Sequence, residues 1–166
     1  MPRLTQAEIY LGNPNLKRAN VPINFTEAQI QEYLKCKSDP VYFAKNYVKI
    51  VSLDEGLTQF HPYDFQETLI KRFHENRFNI CKMPRQTGKS TTSVSYLLHY
   101  AVFNDSANIG ILANKAATAR DLLGRLQTAY ENLPKWMQQG IISWNKGSLE
   151  LENGSKILAA STSASA

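Results

Sequence analysis

An α/β fold with a parallel sheet flanked by helices is what this sequence predicts, and three observations carry the prediction. The apolar period changes from helical to strand-like near residue 78. A Gly-Lys-Ser loop at 83–90 joins a short apolar run to a helical one. Strand and helix patterns then alternate as far as residue 132, with crossovers of the length that makes successive strands parallel. The bulk numbers permit this. At 166 residues, 43% hydrophobic and 20% charged, the chain can bury one real core.

Other classes are disfavoured. No run of about eighteen apolar residues is present, so no membrane-spanning helix is expected. The first residues, MPRLTQAEIYLGNP, show no apolar block followed by a small-residue cleavage site, so secretion is not expected either. Cys36 and Cys81 fall on a predicted helix and a predicted strand. They read as two reduced, mostly packed thiols of a cytosolic protein.

In chain order, residues 1–25 are rich in Asn and Pro and read as an extended arm that packs on something else or stays loose. Thr26-Glu27-Ala28-Gln29 fits a capping box, and Ile30, Tyr33 and Leu34 form an apolar stripe, so a helix is predicted over about 26–37. Asp39-Pro40 is a cap followed by a helix-starting proline, with Phe43, Ala44, Tyr47 and Val48 as the next helical face. His61-Pro62 opens a third helix whose inward side is Phe65, Leu69, Ile70 and Phe73.

Phe78-Asn79-Ile80-Cys81 then reads as a short strand leading into the loop. A helix is predicted over 90–103 with Val94, Leu97, Leu98 and Ala101 inward, then a buried strand over 108–113. Another helix over 115–132 carries Leu122, Leu123, Leu126 and Tyr130 on one side. Ile141 to Trp144 is a strand candidate. Residues 149–158 predict a β-hairpin turning at Asn153-Gly154, with positive φ at both residues. Beyond it the sequence runs through Ala159-Ala160-Ser161-Thr162-Ser163-Ala164-Ser165-Ala166 without a capping residue. Two units follow: 1–60, the arm and first helices, and 61–166, the loop-bearing unit.

The chemistry concentrates in Met83-Pro84-Arg85-Gln86-Thr87-Gly88-Lys89-Ser90. Phosphate recognition needs backbone N–H groups converging on an anion, and a helix N-terminus supplies them with a favourable dipole. Gly88 lets the loop close, Lys89 is placed to neutralise β- and γ-phosphates, and the Ser90 hydroxyl is placed to ligate Mg²⁺. The predicted cofactors are ATP and Mg²⁺, held along Arg85, Gln86, Thr87, Gly88, Lys89, Ser90 and Thr91. The consensus first glycine is replaced by Met83. Arg85 reads either as a guanidinium reaching the γ-phosphate or as a solvent-facing salt-bridge partner.

Six basic residues, Lys71, Arg72, Arg77, Lys82, Arg85 and Lys89, face a single acid, Glu75, in the same stretch. A polyanion partner and a merely solvated helix end fit this equally. Asp54-Glu55 follows an apolar run and imitates a metal-binding acid pair, but it precedes the loop and reads as a loop start. After the loop no apolar strand ends in Asp or Glu up to residue 166, so the acids that hydrolysis needs have no candidate there.

Together these features resemble the N-terminal part of the large terminase subunit of tailed bacteriophages, closest to the myovirus type. The resemblance runs from Tyr10-Leu11-Gly12-Asn13-Pro14-Asn15-Leu16-Lys17-Arg18-Ala19-Asn20 through Asp39-Pro40-Val41-Tyr42-Phe43-Ala44 and Tyr63-Asp64-Phe65-Gln66. It continues through Arg85-Gln86-Thr87-Gly88-Lys89-Ser90 and Trp144-Asn145-Lys146-Gly147-Ser148 to Asn153-Gly154-Ser155. Large terminases commonly lack the first loop glycine, so Met83 fits them.

The resemblance implies a P-loop NTPase fold of the RecA/ASCE-like type, of which this chain spans about the first half and stops before the Walker B strand. It implies that Gln66 contacts adenine, that Lys89 and Ser90 serve phosphate and Mg²⁺, and that Arg85 and Lys89 are catalytic. It further implies ATP-driven movement of double-stranded DNA into a capsid. The implied partners are the capsid portal, the small terminase subunit and further copies in a ring, in the host cytoplasm. Another P-loop translocase or helicase, and a truncated piece that binds nucleotide without hydrolysing it, are the alternatives.

Overall fold

The computed structural model describes residues 5–52 and 54–162. Leu53 and residues 163–166 of the Ala/Ser tail lie outside them, as do residues 1–4 of the arm. The described residues form thirteen elements. They begin with a small antiparallel hairpin, β1 (Ile9–Tyr10) with β2 (Asn13–Lys17).

Local chemistry explains the first helices. α1 (Glu27–Ser38) starts at Thr26, whose hydroxyl accepts from the Gln29 N–H while Gln29 Oε1 accepts from the Thr26 N–H at 3.0 Å. That is the predicted capping box. α2 (Pro40–Tyr47) is capped by Asp39, whose carboxylate accepts from the Val41 and Tyr42 N–H groups, both at 2.9 Å. The stripe on α1 departs from expectation. Ile30 and Leu34 remain 46% and 53% exposed and, with Phe25 and Trp136, line an open apolar groove of about 420 Å³.

A hairpin absent from the sequence reading follows, β3 (Lys49–Ser52) with β4 (Gly56–Gln59). Asp54 and Glu55 lie in its turn, where the sequence placed a loop start. α3 (Asp64–Glu75) begins two residues after His61-Pro62, with Tyr63 as its N-cap. Its inward face is also corrected. Phe65 is 45% exposed and Gln66, the neighbouring residue, is buried beside Ile70. The amide of Gln66 finds two hydrogen-bond partners inside, which removes the usual cost of burying it.

The body is formed by α4 (Lys89–Phe103), β5 (Asn108–Ala113), α5 (Ala116–Glu131), β6 (Ile141–Trp144), β7 (Ser148–Leu151) and β8 (Lys156–Ser161). The sheet order is β5-β8-β7-β6, and only β5–β8 is parallel. The predicted parallel sheet is therefore mixed, because the hairpin returns directly beside β5. One face carries Ile109, Ile111, Leu149, Leu151 and Ile157 into the core with Leu98, Leu123, Leu126 and Tyr130. The other leaves Leu112 65% and Leu158 58% exposed, so β5 alternates instead of being buried on both sides.

The expected strand at 78–81 does not form: Phe78 is 83% exposed, Ile80 fully so, and no described strand pairs with them. An apolar run becomes a strand only beside a neighbour that completes its ladder. Cys81 is consequently exposed, not packed. Cys36 is buried, and burial pushes its thiol up to about 12.

Two long-range joins tie the ends to this body. β2 docks beside β6 through an isolated parallel bridge, Arg18 to Ile141, and Leu16 and Lys17 are buried there. Gln138, itself buried, accepts from the Lys17 N–H and donates to the Asn15 carbonyl at 3.0 Å. The arm at 13–20 is thus packed, one of the two outcomes the sequence left open.

The second join is the hairpin turn. Gly154 N–H bonds back to Leu151 and Leu151 N–H to Ser155, closing a three-residue loop in which Gly154 alone has positive φ (+81°). Asn153 takes an ordinary φ and a different task. Its Nδ2 donates to the Ala101 and Asn104 carbonyls at the end of α4 (2.9 and 3.1 Å), and its Oδ1 accepts from Ser155 N–H. Those carbonyls lack helical partners. Asn153→Ala is expected to cost about 1–2 kcal/mol in urea unfolding, against a few tenths for an alanine at a surface turn.

Candidate functional site

The loop at 83–90 sits between the end of the exposed 78–82 segment and α4. Its backbone carries two left-handed residues, Gln86 (φ +62°) and Gly88 (φ +72°). Glycine meets this without strain, whereas a glutamine there costs of order 1 kcal/mol, and such residues collect at ligand clamps. Gly88 is the N-cap of α4 and offers no side-chain cap. The N–H groups of Lys89, Ser90 and Thr91, which a helix cannot pair internally, therefore point out of its positive end unanswered by a cap.

Lys89 is half-buried. Its Nζ turns back along the loop and donates to the carbonyls of Met83, at 3.2 Å, and of Pro84. Thr87 Oγ1 donates to the same Pro84 carbonyl at 3.1 Å, which pulls the loop into a closed curl with the ammonium inside it. Thr92, fully buried, anchors the other side: both its N–H and its hydroxyl donate to the Gly88 carbonyl (2.9 and 3.0 Å). Ser90 is exposed at the second position of the helix and Thr91 is half-buried beside it.

Gln66 reaches the loop from α3. Its Oε1 accepts from Tyr63 N–H at 2.9 Å, and its Nε2 donates to the Thr87 carbonyl at 3.2 Å. The fit against the glycine is close, since a β-carbon on Gly88 would lie 2.4 Å from Gln66 Nε2. Gln66 and the 85–91 segment, separated in sequence, are thus one constellation.

Arg85 is exposed and makes none of the ion pairs among the described residues, which leaves its salt-bridge reading without a partner. Lys71, Arg72, Arg77 and Lys82 are likewise exposed and outside those ion pairs. Four of the five acids after the loop serve structural contacts instead: Asp121 with Arg125, Glu131 with Asn13, Glu150 with Lys156 and Glu152 with Lys17. Among the described residues no cluster of three or more His, Cys, Asp or Glu side chains could hold a metal, and no helix is long and apolar enough to cross a membrane.

The sequence named the loop residues but missed the groups that shape them. The carbonyls of Met83, Pro84 and Thr87, the N–H of Tyr63 and the hydroxyl of Thr92 do that work. Backbone groups leave no residue-type signal. Thr92 had one, a hydroxyl four residues after Gly88, within reach of its carbonyl.

What this arrangement fits chemically is an anion with several oxygens. It has unpaired helix N–H groups, an ammonium held within the loop, and an exposed hydroxyl of the kind that ligates Mg²⁺. Residues 80–166 match the family model described as terminase large subunit, T4likevirus-type, N-terminal.

Proposed function

The chain belongs to the large terminase subunits of the T4-like-virus type, the packaging-motor family, and from that premise we propose that its 83–90 loop binds the triphosphate of Mg-ATP. The observation that carries the reading is the left-handed, uncapped Gly88 at the head of α4, with Lys89 Nζ held inside the same loop. In this reading the ammonium exchanges the Met83 and Pro84 carbonyls for β- and γ-phosphate oxygens. The N–H groups at the start of α4 receive the remaining oxygens, Ser90 ligates Mg²⁺, and Gln66 reads the adenine edge. Arg85, exposed at the loop, stabilises charge as the γ-phosphoryl group departs. The fold to which these parts belong is the RecA-like P-loop sheet. Its work in the motor is to couple hydrolysis to the translocation of double-stranded DNA at the assembling capsid in the host cytoplasm. The portal, the small subunit and further copies of the large subunit are its proposed partners there.

The five exposed cations at Lys71, Arg72, Arg77, Lys82 and Arg85 support a polyanionic partner beside the nucleotide. Because the acids at Asp121, Glu131, Glu150 and Glu152 are occupied elsewhere, turnover by the 166-residue chain alone is expected to be slow. Thermal unfolding with Mg-ATP tests binding directly. At a hundredfold excess over Kd, ligand adds about 2.7 kcal/mol. For a domain of this size that raises Tm by roughly 5–10 °C. Lys89→Ala is expected to remove the rise while leaving the unliganded Tm near wild type. A folded wild-type chain whose Tm ignores millimolar Mg-ATP overturns the proposal.

A further inference from the structure

We infer that Gln66 is a positioning residue for the phosphate loop, acting on the triphosphate end of the ligand as well as on the base; the inference rests on the nucleotide reading above. Gln66 is 4% exposed, so its amide is placed by the protein and not by solvent. One end is fixed to the start of α3 through Tyr63 N–H, and the other to the loop through the Thr87 carbonyl. Thr87 lies between the two left-handed residues, Gln86 and Gly88. A peptide in that position holds its orientation only while its carbonyl has a partner, and the orientation of the Thr87–Gly88 peptide sets where the Gly88 N–H points. The missing β-carbon of Gly88 makes the room that Gln66 Nε2 occupies. Glutamine and glycine therefore act as one unit.

The hydrogen-bonding capacity of the amide allows both tasks at once. A glutamine amide has two N–H donors and two oxygen lone pairs. The Tyr63 and Thr87 bonds use one of each. One donor and one lone pair remain, which is what the edge of adenine requires. Base recognition and loop geometry are thus joined in a single side chain, and occupation of the base site stiffens the support of the phosphate site.

The test separates phosphate from base by using Mg-tripolyphosphate, which has no base, alongside Mg-ATP. Gln66→Met keeps side-chain length and removes both hydrogen bonds. Tyr63 is 71% exposed and can pass its N–H to water, so the unliganded fold should persist. Loss of one neutral hydrogen bond is expected to weaken tripolyphosphate about fivefold. ATP should weaken by at least that factor, and the unliganded Tm should move by no more than a few degrees.

Weakening of ATP alone would make Gln66 a base contact only and overturn the inference, as would no weakening of either ligand. Where the variant unfolds, the wild-type chain answers instead. The side-chain N–H exchange of Gln66, followed by NMR, should stay slow when Mg-tripolyphosphate is added. Fast exchange on addition means that the bond to Thr87 opens on binding, which also overturns it. A wild-type chain that binds neither ligand fails earlier and differently, because it removes the nucleotide reading before any substitution is made.

Discussion

Glu152→Ala is expected to lower the free energy of unfolding by about 3 kcal/mol. The reason is the partner it abandons. Lys17 is 3% exposed and lies 2.7 Å from Glu152 Oε1, and among the described residues its ammonium donates one other hydrogen bond, to the Val21 carbonyl at 3.2 Å. Glu152 itself is 24% exposed and also accepts from the Asn20 N–H at 2.9 Å. Removing the carboxylate strands a buried ammonium, whereas removing the ammonium leaves a carboxylate that water can still reach. Lys17→Met should therefore cost about 1 kcal/mol, and the double variant Lys17→Met with Glu152→Ala should recover most of the Glu152→Ala loss.

Urea unfolding of the four species closes the cycle. A Glu152→Ala loss below about 1 kcal/mol would mean that the pair is solvated and contributes nothing. The pH dependence has a definite sign. Burial alone would raise the Glu152 carboxyl, but the hydrogen bonds from Lys17 and from the Gly140 and Asn20 backbone outweigh it and hold the group below its ordinary 4.5. A depressed carboxylate stabilises the fold fully above the unfolded value, and that stabilisation disappears as pH falls through the folded one. The difference between wild type and Glu152→Ala should accordingly be flat near neutrality and shrink only in acid below about 4.5.

This pair also marks where the sequence stops being informative. Lys17 and Glu152 are separated by 135 positions, and nothing in either neighbourhood announces the other. Features closed within a few residues were legible: the capping box at Thr26 and Gln29, the Asp39-Pro40 start, the faces of α4 and α5. Periodicity gave the right elements wherever one face met the core. It failed at 78–81, because an apolar run says nothing about whether a neighbouring strand exists, and at Phe65, because it ranks an aromatic inward over an amide. In the hairpin the Asn-Gly signal gave the right turn for an incomplete reason. Only Gly154 needed the left-handed region, while Asn153 was there for the end of α4. At the site, the order of residues identified the loop. The contacts that shape it run through carbonyls and through Gln66, 21 positions upstream of Thr87, which no motif spacing encodes.

Gly88→Ala should show that loop shape and loop charge are separate requirements. Alanine at φ +72° carries a backbone strain of about 1–2 kcal/mol. Its β-carbon would also lie 2.4 Å from Gln66 Nε2. The glutamine is the softer partner, so it swings away and gives up its 3.2 Å bond to the Thr87 carbonyl. A further 1 kcal/mol or so is lost with that bond. The expected total is about 2–3 kcal/mol in stability, together with a fall in Mg-ATP affinity of tenfold or more as the Gly88 and Lys89 N–H groups turn from the phosphate.

Lys89→Ala removes a charge from the same loop yet touches neither the Gly88 conformation nor Gln66, so it should lose affinity with little loss of stability. The comparison is decisive when each variant is measured both ways, by urea unfolding without ligand and by calorimetric titration with Mg-ATP. If Gly88→Ala keeps wild-type stability, the backbone has found another conformation and the left-handed cap is not required. If it keeps wild-type affinity, the cradle is not built from these N–H groups. A lysine alone would attract a triphosphate from a distance. The glycine and the glutamine behind it are what fix the direction from which the oxygens are met.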